Sequence, residues 1–308
     1  MRKHPFLSAF CLLLSLVLSS CSSAHPFSGS VTNSNAIVVG SQDYFSNEII
    51  AEIFAQSLEN AGYSVDRDFR IGQREAYLPE IEAGNIDLFP EYSGNLLQYW
   101  DPTASVGDAQ EVNNQLRRRT PAGISILNQA EATDEDVYVM TRHHAEELGV
   151  KSLADLARLP RTWHLGGPYE LKERDYGPQG LASVYHAQVE LSPIEDAGGP
   201  LTIKALSDGT VDIARMSSSS PAIADNDLLV LADPERLLPA SHVVPLVSDK
   251  VDPRAREIIN DLMARFHQED IVALNRASVE QQKAAATIAQ QWLAGQITSG
   301  AEEKNRTS

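Results

Sequence analysis

Thiols are almost missing from this sequence. Of 308 residues only two are cysteine, Cys11 and Cys21, too few for a Cys-rich zinc site or a disulfide framework. Basic residues are outnumbered, 25 Lys and Arg against 42 Asp and Glu, which leaves a net charge of −17. That balance argues against a nucleic-acid binder, which tracks phosphates with stripes of Lys and Arg. No Gly-x-Gly-x-x-Gly, phosphate loop, Gly-x-Ser-x-Gly elbow or His-Glu-x-x-His stretch occurs, so no short motif points to catalysis. No enzyme, cofactor or metal is expected. His143 and His144, beside Glu146 and Glu147, are metal-ligand residue types, but adjacent histidines on a helix point apart, so a solvated face is expected.

What is present starts at the N-terminus. Arg2, Lys3 and His4 precede an apolar run from Phe6 to Leu18. The run is shorter than the roughly 20 residues a membrane span takes, and a basic start plus a short apolar stretch reads as a secretory signal. Leu18-Ser19-Ser20-Cys21 then resembles the lipobox of bacterial lipoproteins. That resemblance implies lipidation of Cys21 and removal of Cys11 with residues 1–20. The mature chain would then have no thiol, and two acyl chains would anchor it stably. The Ser-rich residues 21–35 read as a tether.

The body alternates strand and helix. Ala36 to Gly40 is a short apolar strand; Ser46 can cap a helix carrying Ile49, Ile50, Ile53, Phe54 and Leu58. Strands at Val65–Ile71 and Ile86–Phe89 flank a short helix at Leu78–Ala83, an order that implies a parallel sheet. A helix at Asn113–Arg119 and strands at Ile124–Leu127 and Val137–Met140 follow. A second block of the same kind has a helix from Ser152 to Leu159, a strand at Trp163–Gly167, helices at Gly180–His186 and Leu201–Leu206, and strands at Val211–Ala214 and Leu228–Leu231. A return strand at His242–Val247 precedes helices at Pro253–Phe266 and Ser278–Trp292. The pattern fits an α/β protein of two lobes with crossings near residues 132–140 and 232–243. Lobe I is then 36–135 plus 240–297, lobe II is 136–239, and 298–308 is a polar tail. Ligands of open α/β sheets lie beyond the carboxyl ends of strands, here Gly40-Ser41-Gln42, Pro90 to Gly94, Gly166-Gly167 and Arg215 to Ser218.

The stretches Val39 to Tyr44, Gly84 to Gly94 (Gly-Asn-Ile-Asp-Leu-Phe-Pro-Glu-Tyr-Ser-Gly), Gly166 to Arg174, Gly177 to Leu181 and Asp208 to Ala214 resemble the substrate-binding proteins of osmoprotectant ABC importers, the glycine betaine/choline family. The likeness covers roughly residues 36–297. It implies a type II periplasmic-binding-protein (Venus-flytrap) fold, outside the cytoplasm and anchored by its lipid. The expected partners are a small polar or zwitterionic solute, an ABC permease and its ATPase, and the protein is expected to be a monomer. Position within the motifs assigns Tyr92 to an aromatic cage and Arg174 to a carboxylate clamp, with Ser41, Gln42, Tyr44 and Glu170 nearby. Where relatives carry further cage tyrosines, this chain has Asp136, Ser217 with Ser218, and Ser241-His242. A polyol, sugar derivative or less methylated amine suits such groups better than a quaternary amine. The alternatives are local ones: Asp136 belongs to the acidic run Glu131–Asp136, Arg174 could pair with Glu170, and Ser217–Ser220 could be a turn. A binding module reporting to a receptor is the rival function.

Overall fold

A computed structural model describes residues 36–104, 107–196, 198–295 and 297. The signal, the tether, Cys21 and the polar tail lie outside the described residues. Those described fall within one unit of the chain that contains two five-stranded sheets.

The first sheet has strand order β2-β1-β3-β10-β4, comprising β1 Ile37–Gly40, β2 Val65–Asp68, β3 Leu88–Tyr92, β4 Ile124–Ile126 and β10 Val243–Ser248. The second has order β7-β6-β8-β5-β9, comprising β5 Asp136–Thr141, β6 Trp163–Gly167, β7 Val189–Pro193, β8 Ile213–Ser217 and β9 Leu228–Val230. Their patterns match. β1 runs parallel to β2 and β3, and β6 runs parallel to β7 and β8. In each sheet the fourth strand is the one entered just after the chain crosses over, β10 in the first and β5 in the second. Each lies antiparallel to both neighbours. The entry to the third strand also repeats. Asp87 accepts the Val38 N–H at 3.0 Å, and Asp212 accepts the His164 N–H at 2.9 Å. Gly84-Asn-Ile-Asp87 and Gly209-Thr-Val-Asp212 are therefore one device used twice.

The helix Phe45–Asn60 is buried on nearly every side, with Ile49, Ile53, Phe54 and Leu58 between the first sheet and the C-terminal helices. It starts at Phe45 with Tyr44 at its cap position and no side-chain cap bond, so Ser46 does not cap it but is buried in its first turn. The expected helix Ser278–Trp292 is confined to Ala285–Leu293, and a separate helix, Gln268–Val279, precedes it. The chain turns between them through Gln282, whose φ is +52°. β3 extends through Pro90-Glu91-Tyr92, placing that motif in the sheet and not in a loop. Pro90 faces Pro245 across the ladder. Neither has an N–H to give, and their carbonyls are met elsewhere, by Asn47 Nδ2 at 2.8 Å and Leu127 N at 3.0 Å.

Two segments join the lobes side by side. Ala130 N bonds Val243 O, Val243 N bonds Ala132 O, and Asp134 N bonds Ser241 O, at 2.9, 3.0 and 3.2 Å. This short antiparallel ladder is where the chain passes between the two sheets, the place a hinge would occupy.

Candidate functional site

The carboxyl ends of β1, β3 and β8 open onto one cleft of about 1040 Å³. On the side of the first sheet, Gln42 N is held by Asn47 Oδ1 at 2.9 Å, while Asn47 Nδ2 holds Pro90 O. One buried amide in the first turn of the helix thereby locks the loop after β1 to β3, and sets Tyr44 and Tyr92 on the same wall. Beneath Tyr92, Glu91 is fully buried. It grips Arg74 bidentately at 2.8 and 2.9 Å, accepts the Tyr92 N–H at 2.6 Å and takes the Tyr77 hydroxyl. Arg74 reaches the cleft from this anchor. Gly94 turns the chain away against the second crossing: a Cβ there would meet Ala240 O at 2.5 Å.

The floor comes from the hinge. Asp134 accepts the hydroxyls of Ser217 and, at 2.8 Å, Ser219, both on Oδ1. Burial raises its carboxyl above the ordinary 3.8, although the two hydroxyls oppose the shift. Asn275 donates to Ser219 Oγ at 2.8 Å and closes the network from the C-terminal helices. Tyr44 and Tyr92 both stand near this carboxylate. Burial holds their phenols well above the usual value, and the Asp134 charge adds to the effect. The Tyr92 hydroxyl makes no hydrogen bond of normal geometry, with the Asn47 amide its neighbour.

The wall on the second sheet's side carries charge of both signs. Arg215 on β8 pairs with Asp136 on β5, brought opposite by the antiparallel register that aligns Tyr138 with Arg215 and Asp136 with Ser217. Burial works against the Arg215 charge, and Asp136 more than offsets it, so its pKa is raised. Tyr176 stands beside Asp136, and burial raises its phenol too. Arg174 follows a 3-10 turn, Tyr169–Glu173, and lines both the cleft and a side pocket of about 230 Å³. Among the described residues its guanidinium has no ion pair, so the Glu170 pairing is not made; Glu170 lines the side pocket.

A family model described as the substrate binding domain of the ABC-type glycine betaine transport system matches residues 35–295. The chain belongs to this family. The glycine-betaine-binding protein of Pseudomonas aeruginosa is 24% identical over 282 residues, covering 87% of this chain and 90% of that one. The glycine betaine-binding protein YehZ of Escherichia coli is 24% identical over 264 residues, covering 82% and 85%. The apo YehZ structure superposes with a TM-score of 0.69 at 22% identity, over 84% of this chain and 98% of its own. The crystal structure of a glycine betaine/carnitine/choline ABC transporter gives 0.76 at 17%, over 84% and 98%. The fold is the type II solute-binding fold that the sequence implied. As a substrate-binding protein of a glycine betaine/choline-type transporter, the chain belongs to a family of capture proteins and not of enzymes.

Within this betaine-family protein the sequence candidates separate. Gln42, Tyr44, Tyr92, Asp136, Arg174 and Ser217 share the cleft. Four others serve the scaffold. Ser41 Oγ bonds Gln42 O at 3.1 Å and Arg70 N at 2.9 Å, tying down its own loop. Ser218 Oγ accepts Glu135 N at 3.0 Å within the hinge. Ser241 is fully buried against Asn95, and His242 Nδ1 bonds Ala130 O at 2.8 Å. Asp134, Arg215, Tyr176, Arg74 and Asn275 were missed. For Asp134 the one available signal was its place at a crossing, where the backbone N–H of a residue whose carboxylate reads as solvated joins the ladder.

Proposed function

We propose that this protein captures a small zwitterionic osmolyte outside the cytoplasm and delivers it to an ABC permease. The observation that carries the reading is one cleft lined by two tyrosines, a buried carboxylate and an unpaired guanidinium. Aromatic faces attract a cation by about 0.5–2 kcal/mol each, and the carboxylate at Asp134 adds a full opposite charge. Arg174 suits the solute's own carboxylate, which it can hold bidentately. The cleft is at the upper end of the roughly 300–1,000 Å³ common for small-molecule sites, so a small osmolyte needs the lobes to rotate about the hinge to be enclosed. The Cys21 lipobox and the Ser-rich tether support anchoring at a membrane, with residues 36–135 plus 240–297 and 136–239 as the two moving bodies. The protein works as a monomer.

Calorimetric titration of the full chain against betaine, choline, carnitine, proline and a set of polyols tests this. Saturable binding of at least one zwitterion is expected. Binding of polyols alone, or of nothing in the panel, would overturn the reading.

A further inference from the structure

The zwitterion reading leaves the substitution of the nitrogen open, and the polar groups at the hinge end bear on it. Asp134 receives both of its hydroxyl bonds on Oδ1; Oδ2, out of reach of solvent, has no donor. Asn275 is 1% exposed. Its Nδ2 donates to the Ser219 carbonyl at 3.2 Å and to Ser219 Oγ at 2.8 Å. A carbonyl only accepts, so the amide orientation is fixed and Oδ1 is the acceptor left over. It too has no donor. Ser219 connects the two, since its own hydroxyl proton goes to Asp134. The hinge end of the cleft therefore carries an acidic group and two acceptors on one network, neither of them hydrogen-bonded among the described residues, with the unbonded Tyr92 hydroxyl near the acid.

A quaternary ammonium meets the charge but not the acceptors, because it has no N–H. With it bound, both acceptors stay unpaired as they are in the free protein, so it gains no hydrogen bond from them. A nitrogen that keeps a hydrogen meets charge and acceptor together. Sites built around a hydrogen bond reject analogues that lack it far more strongly than apolar pockets reject a methyl group.

Resting on the zwitterion reading, we infer that this cleft selects an ammonium acid bearing at least one N–H over its fully methylated analogue. Asp134 Oδ2 and Asn275 Oδ1 are the specificity-determining acceptors.

The test is a calorimetric series on the full chain with glycine, N-methylglycine, N,N-dimethylglycine and trimethylglycine. Dimethylglycine is expected to bind at least about tenfold tighter than trimethylglycine, a ratio equal to about 1.4 kcal/mol. Asn275→Leu, checked for native circular dichroism, shrinks that ratio, whereas a simple size limit would leave it unchanged. Trimethylglycine binding as well as or better than dimethylglycine overturns the inference and leaves the capture function standing. Failure of every zwitterion in both panels removes the zwitterion reading itself, and the inference with it.

Discussion

Glu91 sits in the most distinctive motif of the chain, yet it does not line the cleft, and replacing it separates scaffold from contact. Its carboxylate is fully buried and satisfies four donors: two on Arg74, the Tyr92 N–H and the Tyr77 hydroxyl. Glu91→Ala removes all four acceptor contacts at once. Breaking a buried pair by deleting one partner costs about 3–5 kcal/mol, because the other charge stays behind. Arg74 keeps 20% of its side-chain surface exposed, which relieves part of this and points to the lower end, about 3 kcal/mol. At about 2–4 °C per kcal/mol for domains of this general size, Tm falls by about 6–12 °C. Urea unfolding followed by circular dichroism reads the loss, and calorimetry gives Tm. Arg74→Met combined with Glu91→Leu restores at least half of it, since apolar replacement of both partners is often neutral or better. A Glu91→Ala protein within about 0.5 kcal/mol of wild type, the scatter of ordinary surface changes, would refute the reasoning. So would a double variant no more stable than the single one.

Three further outcomes follow from the site. Arg174→Ala leaves stability within about 0.5 kcal/mol, because the side chain is exposed and unpaired. It weakens a betaine-type zwitterion by about tenfold or more and leaves choline, which has no carboxylate, unchanged; calorimetry on the two ligands checks both. Gly94→Ala drives a Cβ to within 2.5 Å of Ala240 O. It destabilises by about 1–3 kcal/mol, as overpacking does, which chemical denaturation measures. Binding also depends on pH through Asp134, whose carboxyl is raised by burial in the free protein. A bound cation favours the carboxylate and lowers that pKa again. Affinity is therefore constant above the raised pKa and falls as pH drops through it, at a higher pH than an ordinary carboxylate would show. Binding within that window releases protons, detectable from titrations in buffers of different ionisation enthalpy. An unchanged pH profile in Asp134→Asn would contradict the assignment.

The two-block organisation was legible because its strands are dense in β-branched residues, as in Ile37-Val38-Val39 and Val137-Tyr138-Val139. Glycine and aspartate punctuate both blocks at matching places. Local residues also located the strand ends that meet at the cleft. Burial decided by distant pairing was not legible. Asp134 sits in a run of acids that reads as solvated, yet its carboxylate is taken by Ser217 and Ser219, 83 and 85 positions later. Arg215 lies between two apolar residues of β8, and only the register with β5 shows that it meets Asp136. Ser241 and His242 looked available, but Asn95 and the Ala130 carbonyl had already claimed them. The helix Gln268–Val279 was overlooked because Asp270 and Asn275 break its apolar pattern. Each is polar for a reason: Asp270 takes the Trp292 indole N–H at 3.0 Å, and Asn275 closes the floor of the cleft.

The placement of charge also bears on how binding is coupled to closure. Arg74 and the two tyrosines are fixed to the first sheet, Arg174 and Arg215 to the second, and Asp134 to neither alone. Its backbone N–H belongs to the hinge ladder, and its carboxylate is held by hydroxyls at the end of β8. A solute whose nitrogen sits at Asp134 therefore loads the hinge directly, and only its far end can draw the second lobe inward through Arg174. A ligand shifts the open–closed equilibrium by its difference in affinity for the two forms and by nothing else. In the proposed capture cycle, a cation without a carboxylate is expected to make its main contact at Asp134, which is bonded to both crossings. It can bind there and still leave the lobes apart. In the same cycle, a zwitterion long enough to reach Arg174 adds a contact on the second sheet, and its second charge is expected to favour the closed form.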